Sequence, residues 1–412
     1  MYKKFYYNVT LFLLSLLPAT LLLGTLISEL AVFFISILFL VYCSKTKNWQ
    51  WIYWSNFKFL IIIFLFLIIN LIFSKIFQNS FSRDIFFFRY IIYVFALTFF
   101  LKKKKFFNKI LFIWSIILFI TIFDLYFEYI FGHNTLGFVS RDPLRLVGFL
   151  GEEEKISTYI FGLAAPVFSW IYLKISKKNK AIKFIYFIIL ILFLYSIIIS
   201  GSRTINAKLI FFIIALLFLS NFTSSKIKIF SLILFLLFSS FLLYNEKIRE
   251  RNFTQIFPDK NNIIAHYKNT HYAAHHYAAF EMFKENYIFG VGNKNFRIFC
   301  EDKKYENKEL RWTENRCSTH PHQIYLEFLS EQGLVGFIGI VIFIIFKLIK
   351  YIIIFYKNKN IIGLSCSLYL ITYFLPIIPS GSFFTSFTQT FFWTNFAFIN
   401  LLDNQKSLIT KN

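Results

Sequence analysis

Charge is what this chain is short of. Only 16% of its 412 residues are Asp, Glu, Lys or Arg, where a soluble domain carries about 25%, so the polar surface that an ordinary soluble enzyme needs is missing. Acidic residues are the scarcest part, 21 against 44 Lys and Arg. No Gly/Ser-rich or Pro-rich linker interrupts the chain and no internal repeat is visible. That excludes a string of separate modules, and residues 1–412 read as a single membrane domain. Extended hydrophilic sequence is confined to residues 245–333.

What is present is apolar: 57% of residues are hydrophobic and 22% aromatic, the composition of an integral membrane protein surrounded by membrane lipids. The formal charge of +23 raises nucleic acid as a partner, but Lys and Arg fall in short runs between apolar segments, where topology accounts for them; no nucleic acid is expected. With roughly 20 residues per crossing, spans are read at 7–23, 25–43, 58–75, 85–101, 109–131, 155–174, 182–199, 204–220, 228–244, 334–356, 361–378 and 385–402. The expected fold is all-α: a polytopic membrane helix bundle of about 12 transmembrane helices, with one large loop containing short helices. The N-terminus imitates a secretory signal, yet further apolar segments follow at once and no cleavage site stands out, so it is taken as the first span.

Alternate connections are basic, at Lys45 and Lys47, Lys102 to Lys105, Lys174 to Lys183, Lys226 and Lys228, and Lys347 to Lys359. The positive-inside rule puts these loops, and with them both termini, in the cytoplasm. Every candidate for chemistry then falls on the opposite side, in 76–84, 132–154, the turn at 200–202, loop 245–333 and 379–384.

The polar stretch from Cys317 to Phe337 is the first candidate. Pro321 suits the first position of a helix, which makes His320 the cap and His322 a first-turn residue, with Gly333 closing the helix. At the positive end of the macrodipole an imidazole stays neutral and able to accept a proton near pH 7, the condition of a general base. Gln323, Glu327 and Glu331 recur at i, i+4 and i+8, one polar stripe on a helix expected to lie against the membrane surface. The plainer alternative is a pair of surface histidines capping a helix. No acidic, Cys or His partner sits at a recognisable zinc spacing, so neither a metal nor a cofactor is assigned.

The second candidate is Ser200-Gly201-Ser202-Arg203-Thr204, which opens a late span. A lone Arg at a membrane boundary is commonly an interfacial anchor. Here Gly201 lets the backbone approach a ligand, Ser202 and Thr204 supply hydroxyls, and the helix N–H groups point outward, which together suit an anion. In loop 245–333, a helix reads from Tyr272 to Asn286, and Gly290-Val291-Gly292 reads as a turn rather than a nucleotide loop. The loop looks too small for an independent core. Cys300 and Cys317 lie in it, whereas Cys43 and Cys366 belong to apolar segments. Joined in an oxidising compartment, the pair closes a loop of about 17 residues, worth about 3 kcal/mol, and brings Arg297 near His322. Otherwise they are two unrelated thiols. Arg141 to Arg145, followed by Glu152 to Lys155, is a solvated charge cluster or a further anion contact.

In order along the chain, Ser200-Gly201-Ser202-Arg203-Thr204, Phe283 to Gly292 and His320 to Gly336 resemble the O-antigen ligase and polymerase family of bacterial envelope proteins. The resemblance covers roughly Arg145 to Phe337. It implies a metal-independent membrane glycosyltransferase that uses an undecaprenyl-diphosphate-linked glycan as donor and lipid A core or a lipid-linked glycan as acceptor. The setting it implies is the inner membrane, with loop 245–333 periplasmic and carrying part of the active site. Carried onto this sequence, the family arginine is Arg203 and the family histidine is His322. Gln323 stands where the family usually has Asn after that His. His271 or Tyr272 stands where it often has an Arg, so Arg297 or Arg145 is the candidate for the second phosphate-binding cation. His320, Gln323, Ser202 and His271 complete the expected substrate contacts.

The rival reading is a polytopic transporter or flippase, to which twelve spans are equally suited. A carrier keeps its ionisable groups near the midplane; here Asp124 and Glu128 are the notable acids inside a span, while Arg89 and Lys208 fall inside apolar stretches and the richest chemistry sits outside them. The expected topology is open to a direct check: reporter fusions at Lys104 and Lys260 should report opposite compartments, and both on one side would overturn the span count.

Overall fold

The computed structural model describes residues 2–151, 155–176, 178–219, 244–255 and 263–409, and residues 229, 233 and 240 besides. Among them every regular element is helical. Six stretches are long and apolar enough to cross a membrane: Lys4–Leu23, Thr25–Thr46, Lys104–Phe131, Ile156–Ile175, Lys180–Ile199 and Ile324–Lys357. Asn56–Ile72 and Ile361–Phe374 are shorter apolar helices. The protein is thus a multi-pass helical membrane protein, and the structure differs from the expected twelve spans in identifiable places. The span expected at 85–101 is divided at Phe87 into Phe77–Phe86 and Phe88–Phe100, and most of that expected at 228–244 lies outside the described residues.

In chain order, helices α1 (Tyr2–Leu23), α2 (Thr25–Thr46) and α3 (Ser55–Ile72) precede the short α4 (Phe77–Phe86) and α5 (Phe88–Phe100). Then come α6 (Lys104–Phe131), α7 (Ile156–Ile175), α8 (Lys180–Ile199) and α9 (Arg203–Leu219). Loop 245–333 contributes α10 (Glu246–Arg249), α11 (Ile263–Lys268), α12 (His271–Glu285) and α13 (Phe296–Phe299), and the chain ends in α14 (Ile324–Gly336), α15 (Phe343–Lys357), α16 (Ile361–Ile371) and α17 (Ser386–Ile409).

Helix α17 packs against α2, α5, α7 and α16. It carries Gln389, Thr390, Thr394, Asn395 and Asn400, all buried, which explains why a helix of its length is not among the apolar stretches. These side chains bond across helices: Asn395 Nδ2 donates to the Gly162 carbonyl at 3.1 Å, Asn400 Nδ2 to Thr98 Oγ1 at 3.0 Å, and Asn56 Nδ2 to Asn400 Oδ1 at 2.7 Å. Between membrane helices, where apolar contact alone gives little preference over lipid, such bonds fix which faces meet.

Loop 245–333 is docked rather than free. Its helix α12 matches the expected Tyr272 to Asn286, and Cys300 and Cys317 are joined, with Cα atoms 5.3 Å apart. Contrary to the expectation of no core, Ala278, Ala279, Met282, Val291, Phe296, Cys300 and Tyr305 form a small buried cluster. Segment 287–292 then runs along the end of α14: Val291 and Gly292 N–H donate to the Ser330 and Glu331 carbonyls at 2.9 and 2.7 Å, and Leu334 and Val335 N–H return to Tyr287 and Ile288 at 2.8 and 3.1 Å.

That exchange requires Gly333 to leave the helical conformation, with φ 63° and ψ −166°. Gly333 therefore breaks the helix where its position predicts, and the chain resumes through a π-helical turn into α15. The rest of α14 departs from expectation. Its polar stripe is turned inward, with Glu327, Ser330, Glu331 and Gln332 all buried, and the helix packs on α3 and α12. A Cβ at Gly333 would meet the Ile288 carbonyl oxygen at 2.3 Å. Gly333→Ala should therefore undock segment 287–292 at a cost of about 1–3 kcal/mol, read as a lower melting temperature in detergent with faster proteolysis inside loop 245–333; an unchanged melt would refute this account of the dock.

Candidate functional site

The loop that carries Arg145 is tied down by the acids of α6. Asp124 Oδ1 accepts from Thr135 N–H at 2.9 Å, and the Glu128 carboxylate accepts from Val147 and Gly148 N–H at 3.1 and 2.7 Å. Leu146 N–H then donates to the Ser200 carbonyl at 3.3 Å, so the loop crosses the Ser200–Arg203 turn. Gly201 (φ 74°) is the crossing point, where a Cβ would sit 2.1 Å from the Leu144 carbonyl oxygen. The close approach expected of Gly201 is thus to the protein's own backbone, not to a ligand. Arg251 completes the junction: its Nε donates to the Gly201 carbonyl at 3.0 Å, and its Nη1 lies 3.5 Å from Asp142 Oδ2.

On the other side, helix α14 begins at Ile324, one turn shorter than expected. Gln323 is its cap, with Oε1 accepting from Leu326 N–H at 2.8 Å. His320 and His322 are therefore not the cap and first turn. His322 has φ 59°, a left-handed conformation that no helix interior admits and that a non-glycine residue adopts only when its surroundings hold it. The hold comes from segment 380–383: Ser380 N–H donates to the His322 carbonyl at 2.8 Å, and His320 Nε2 donates to the Ser380 carbonyl at 3.1 Å. Glu327 secures the same segment by accepting from Ser382 Oγ and, at 3.0 Å, from Phe383 N–H.

Between these halves lies a cavity of about 560 Å³, lined among others by Arg145, Lys155, Ser202, Thr204, Lys208, Tyr272, His320, His322 and Ser380. The fold thus brings Arg145, Ser202, His320 and His322, distant in sequence, to one space. The other expected contacts sit further out. Arg203 opens α9 beside it, close enough to Arg145 and Arg251 for their charges to interact. Arg297 reaches the neighbourhood through Nη2, which donates to the Thr319 carbonyl at 3.2 Å, without lining the cavity. His271 stacks on Trp312 with ring centroids 4.0 Å apart; its neighbour Tyr272 and His275, both of α12, face His322, with ring centroids at 5.8 and 5.3 Å.

Electrostatically the site is a cationic wall facing neutral imidazoles. Burial and the Arg251 guanidinium pull Arg145 and Arg203 below the usual arginine value, with Asp142 opposing. The rings of His320 and His322 are 4.1 Å apart, those of His275 and His322 5.3 Å. Burial, aided by His320 and His275, lowers His322 to about 3, and burial lowers His320 and His276 to about 4. His322 is neutral, as expected, but through burial and neighbouring rings rather than a helix dipole. At about 3 it is also a far weaker base than a group poised near pH 7. Ser318 Oγ lies 3.0 Å from His322 Nε2.

Sequence reasoning missed Arg251 and Lys208. Arg251 sits in the run Lys247, Arg249, Arg251, which reads as a solvated charge run. Lys208 signalled itself as a lone cation inside an apolar span.

Residues 187–341, rather less than half the chain, match the sequence model of the family described as O-Antigen ligase. That stretch runs from α8 through the Ser200–Arg203 turn and loop 245–333 into the helix after His322, and leaves Arg145 outside. No curated protein matches the chain.

The depressed imidazoles carry a stability consequence. Unfolded, they titrate at the ordinary 6.5; folded, at about 4 for His276 and His320 and about 3 for His322. Between those limits the unfolded chain binds more protons, so stability rises with pH and is lost on acidification. The melting temperature should fall from pH 7 to pH 5, and less steeply in a His276→Asn/His320→Asn double variant; equal slopes would contradict the assignment.

Proposed function

The match over residues 187–341 supports the O-antigen ligase and polymerase family, and on that footing we propose that this membrane glycan enzyme is a glycosyltransferase. It moves a glycan from an undecaprenyl-diphosphate carrier to a hydroxyl of lipid A core or of a growing polysaccharide. The reaction runs at the periplasmic face of the inner membrane, with loop 245–333 periplasmic and both termini cytoplasmic. The observation that carries this reading is the one cavity lined by Arg145, Ser202, His320 and His322.

In the proposed step the acceptor oxygen attacks the anomeric carbon, the bond from that carbon to the diphosphate oxygen breaks, and the electron pair leaves with the lipid diphosphate. The hydroxyl proton passes to His322, whose Nε2 is held by Ser318, leaving Nδ1 for the acceptor. An imidazole lowered to about 3 accepts that proton only when negative charge enters beside it, and the donor's diphosphate supplies such charge. The donor thus raises the basicity of the group that activates the acceptor. Arg203 and Arg145 stabilise the charge that develops on the leaving diphosphate, without a divalent metal. Arg297 steadies the Thr319–His320 segment from outside.

Glycan transfer from purified lipid-linked donor in liposomes tests the assignment. His322→Ala should lower kcat by about a hundredfold or more, a larger loss than in His320→Ala. Arg203→Lys should keep part of the rate that Arg203→Ala loses, because an ammonium retains the charge without the forked donor geometry. Added chelator should leave the rate unchanged. Wild-type rates in both alanine variants, at equal folded protein, would remove both residues from the site and favour the transporter reading.

A further inference from the structure

Helix α9 turns Thr204, Ile205 and Lys208 toward the cavity, and Arg203 is not among the lining residues. Lys208 lies five residues beyond Arg203, about 7.5 Å further along the helix axis at 1.5 Å per residue, toward its apolar end. It is only 7% exposed. Its Nζ sits 4.9 Å from the centroid of the Tyr373 ring, and it forms no ion pair among the described residues. Nor does any Asp or Glu line the cavity among the described residues. A buried ammonium inside an apolar helix is costly, is rarely kept without a partner, and by default marks a ligand site. The missing partner here must be an anion that enters the cavity.

We propose that Lys208 is the cation by which α9 binds the diphosphate of the lipid-linked donor, from the membrane side of the cavity. This rests on the transferase reading for the donor's identity. The choice of ligand follows from depth. A polyprenyl diphosphate keeps its chain in the hydrocarbon and its charge at the boundary, so of the donor's parts the diphosphate is the one that reaches an ammonium set along an apolar helix. The glycan lies beyond it, where Ser380, Ser382 and Thr319 of the same cavity offer hydroxyls. Lys208 and Arg145 then approach the diphosphate from different elements, and the Tyr373 ring holds the ammonium in place while the site is empty.

The probe is farnesyl diphosphate, with farnesol as the uncharged control, in equilibrium binding to the full-length protein in nanodiscs. Lys208→Met should weaken farnesyl diphosphate binding about tenfold or more, the scale of a lost charge-assisted hydrogen bond. Lys208→Arg should keep most of it, and farnesol should not distinguish the three proteins. Because the lysine is kept for a ligand, ligand-free Lys208→Met should melt at or above the wild-type temperature. Equal affinity in wild type and Lys208→Met, or no binding by wild type, would overturn the inference. So would a loss of folding in both Lys208→Met and Lys208→Gln, which would make the lysine structural. Lys208-dependent binding without any glycan transfer would sink the transferase reading and keep this one; transfer with Lys208-independent binding would do the reverse.

Discussion

Everything at the candidate site depends on how segment 380–383 is pinned to the start of α14. One backbone unit, Ser380, serves both histidines: its N–H goes to the His322 carbonyl and its carbonyl receives His320 Nε2. The second of these fixes a tautomer. With Nε2 donating, a neutral His320 presents Nδ1 as an acceptor, and Thr319 Oγ1 lies 2.9 Å from it. Glu327, buried four residues into α14, ties the same segment down through Ser382 and Phe383, and Arg83 of α4 reaches Ser382 Oγ at 3.3 Å. The left-handed backbone of His322 survives because these bonds outnumber the conformational cost.

The opposite wall obeys a different constraint. Arg145 and Arg251 share the carboxylate of Asp142, at 3.6 and 3.5 Å, and Arg203 stands within reach of both charges. Arg251 is held both by the Gly201 carbonyl and by the side chains of Asp142 and Gln255, and Asp142 offsets only part of the repulsion among the three guanidinium groups. On the proposed function, the donor's diphosphate would balance that repulsion on arrival. The neutral imidazoles on the facing wall owe their state first to burial and then to one another, with Arg83 and Arg297 adding to it at His320.

Much of this was legible in the sequence, and the rest has physical reasons for not being so. Apolar runs fixed the positions of α6, α7 and α8 to within a few residues, because a crossing helix needs length and little else. The loop helix α12 was readable to within one residue at each end. Helix α17 was found as a segment but not as the polar centre of the bundle, since hydropathy counts Asn395 and Asn400 against a span without knowing that they face Gly162 and Thr98. The stripe of Gln323, Glu327 and Glu331 reads in the sequence as one face, but what covers it does not: a period tells which residues share a side, and only the packing of α3 and α12 shows that the side is buried. Gly201 shows the same limit, since a glycine announces close approach without saying to what.

The acids of α6 bear on what kind of machine this is. In a carrier, carboxylates within a span serve the cargo and must be free to exchange partners as the site opens alternately to either side. Asp124 and Glu128 instead accept main-chain N–H groups of Thr135, Val147 and Gly148, bonds that hold the loop carrying Arg145, which lines one cavity with Ser202 and His322. A carboxylate held by backbone donors is fixed to its own loop, and moving it would dismantle the cationic wall. The charges in the span therefore hold this loop to its helix, which on the proposed reading suits chemistry on a bound ligand better than passage of a ligand across the membrane.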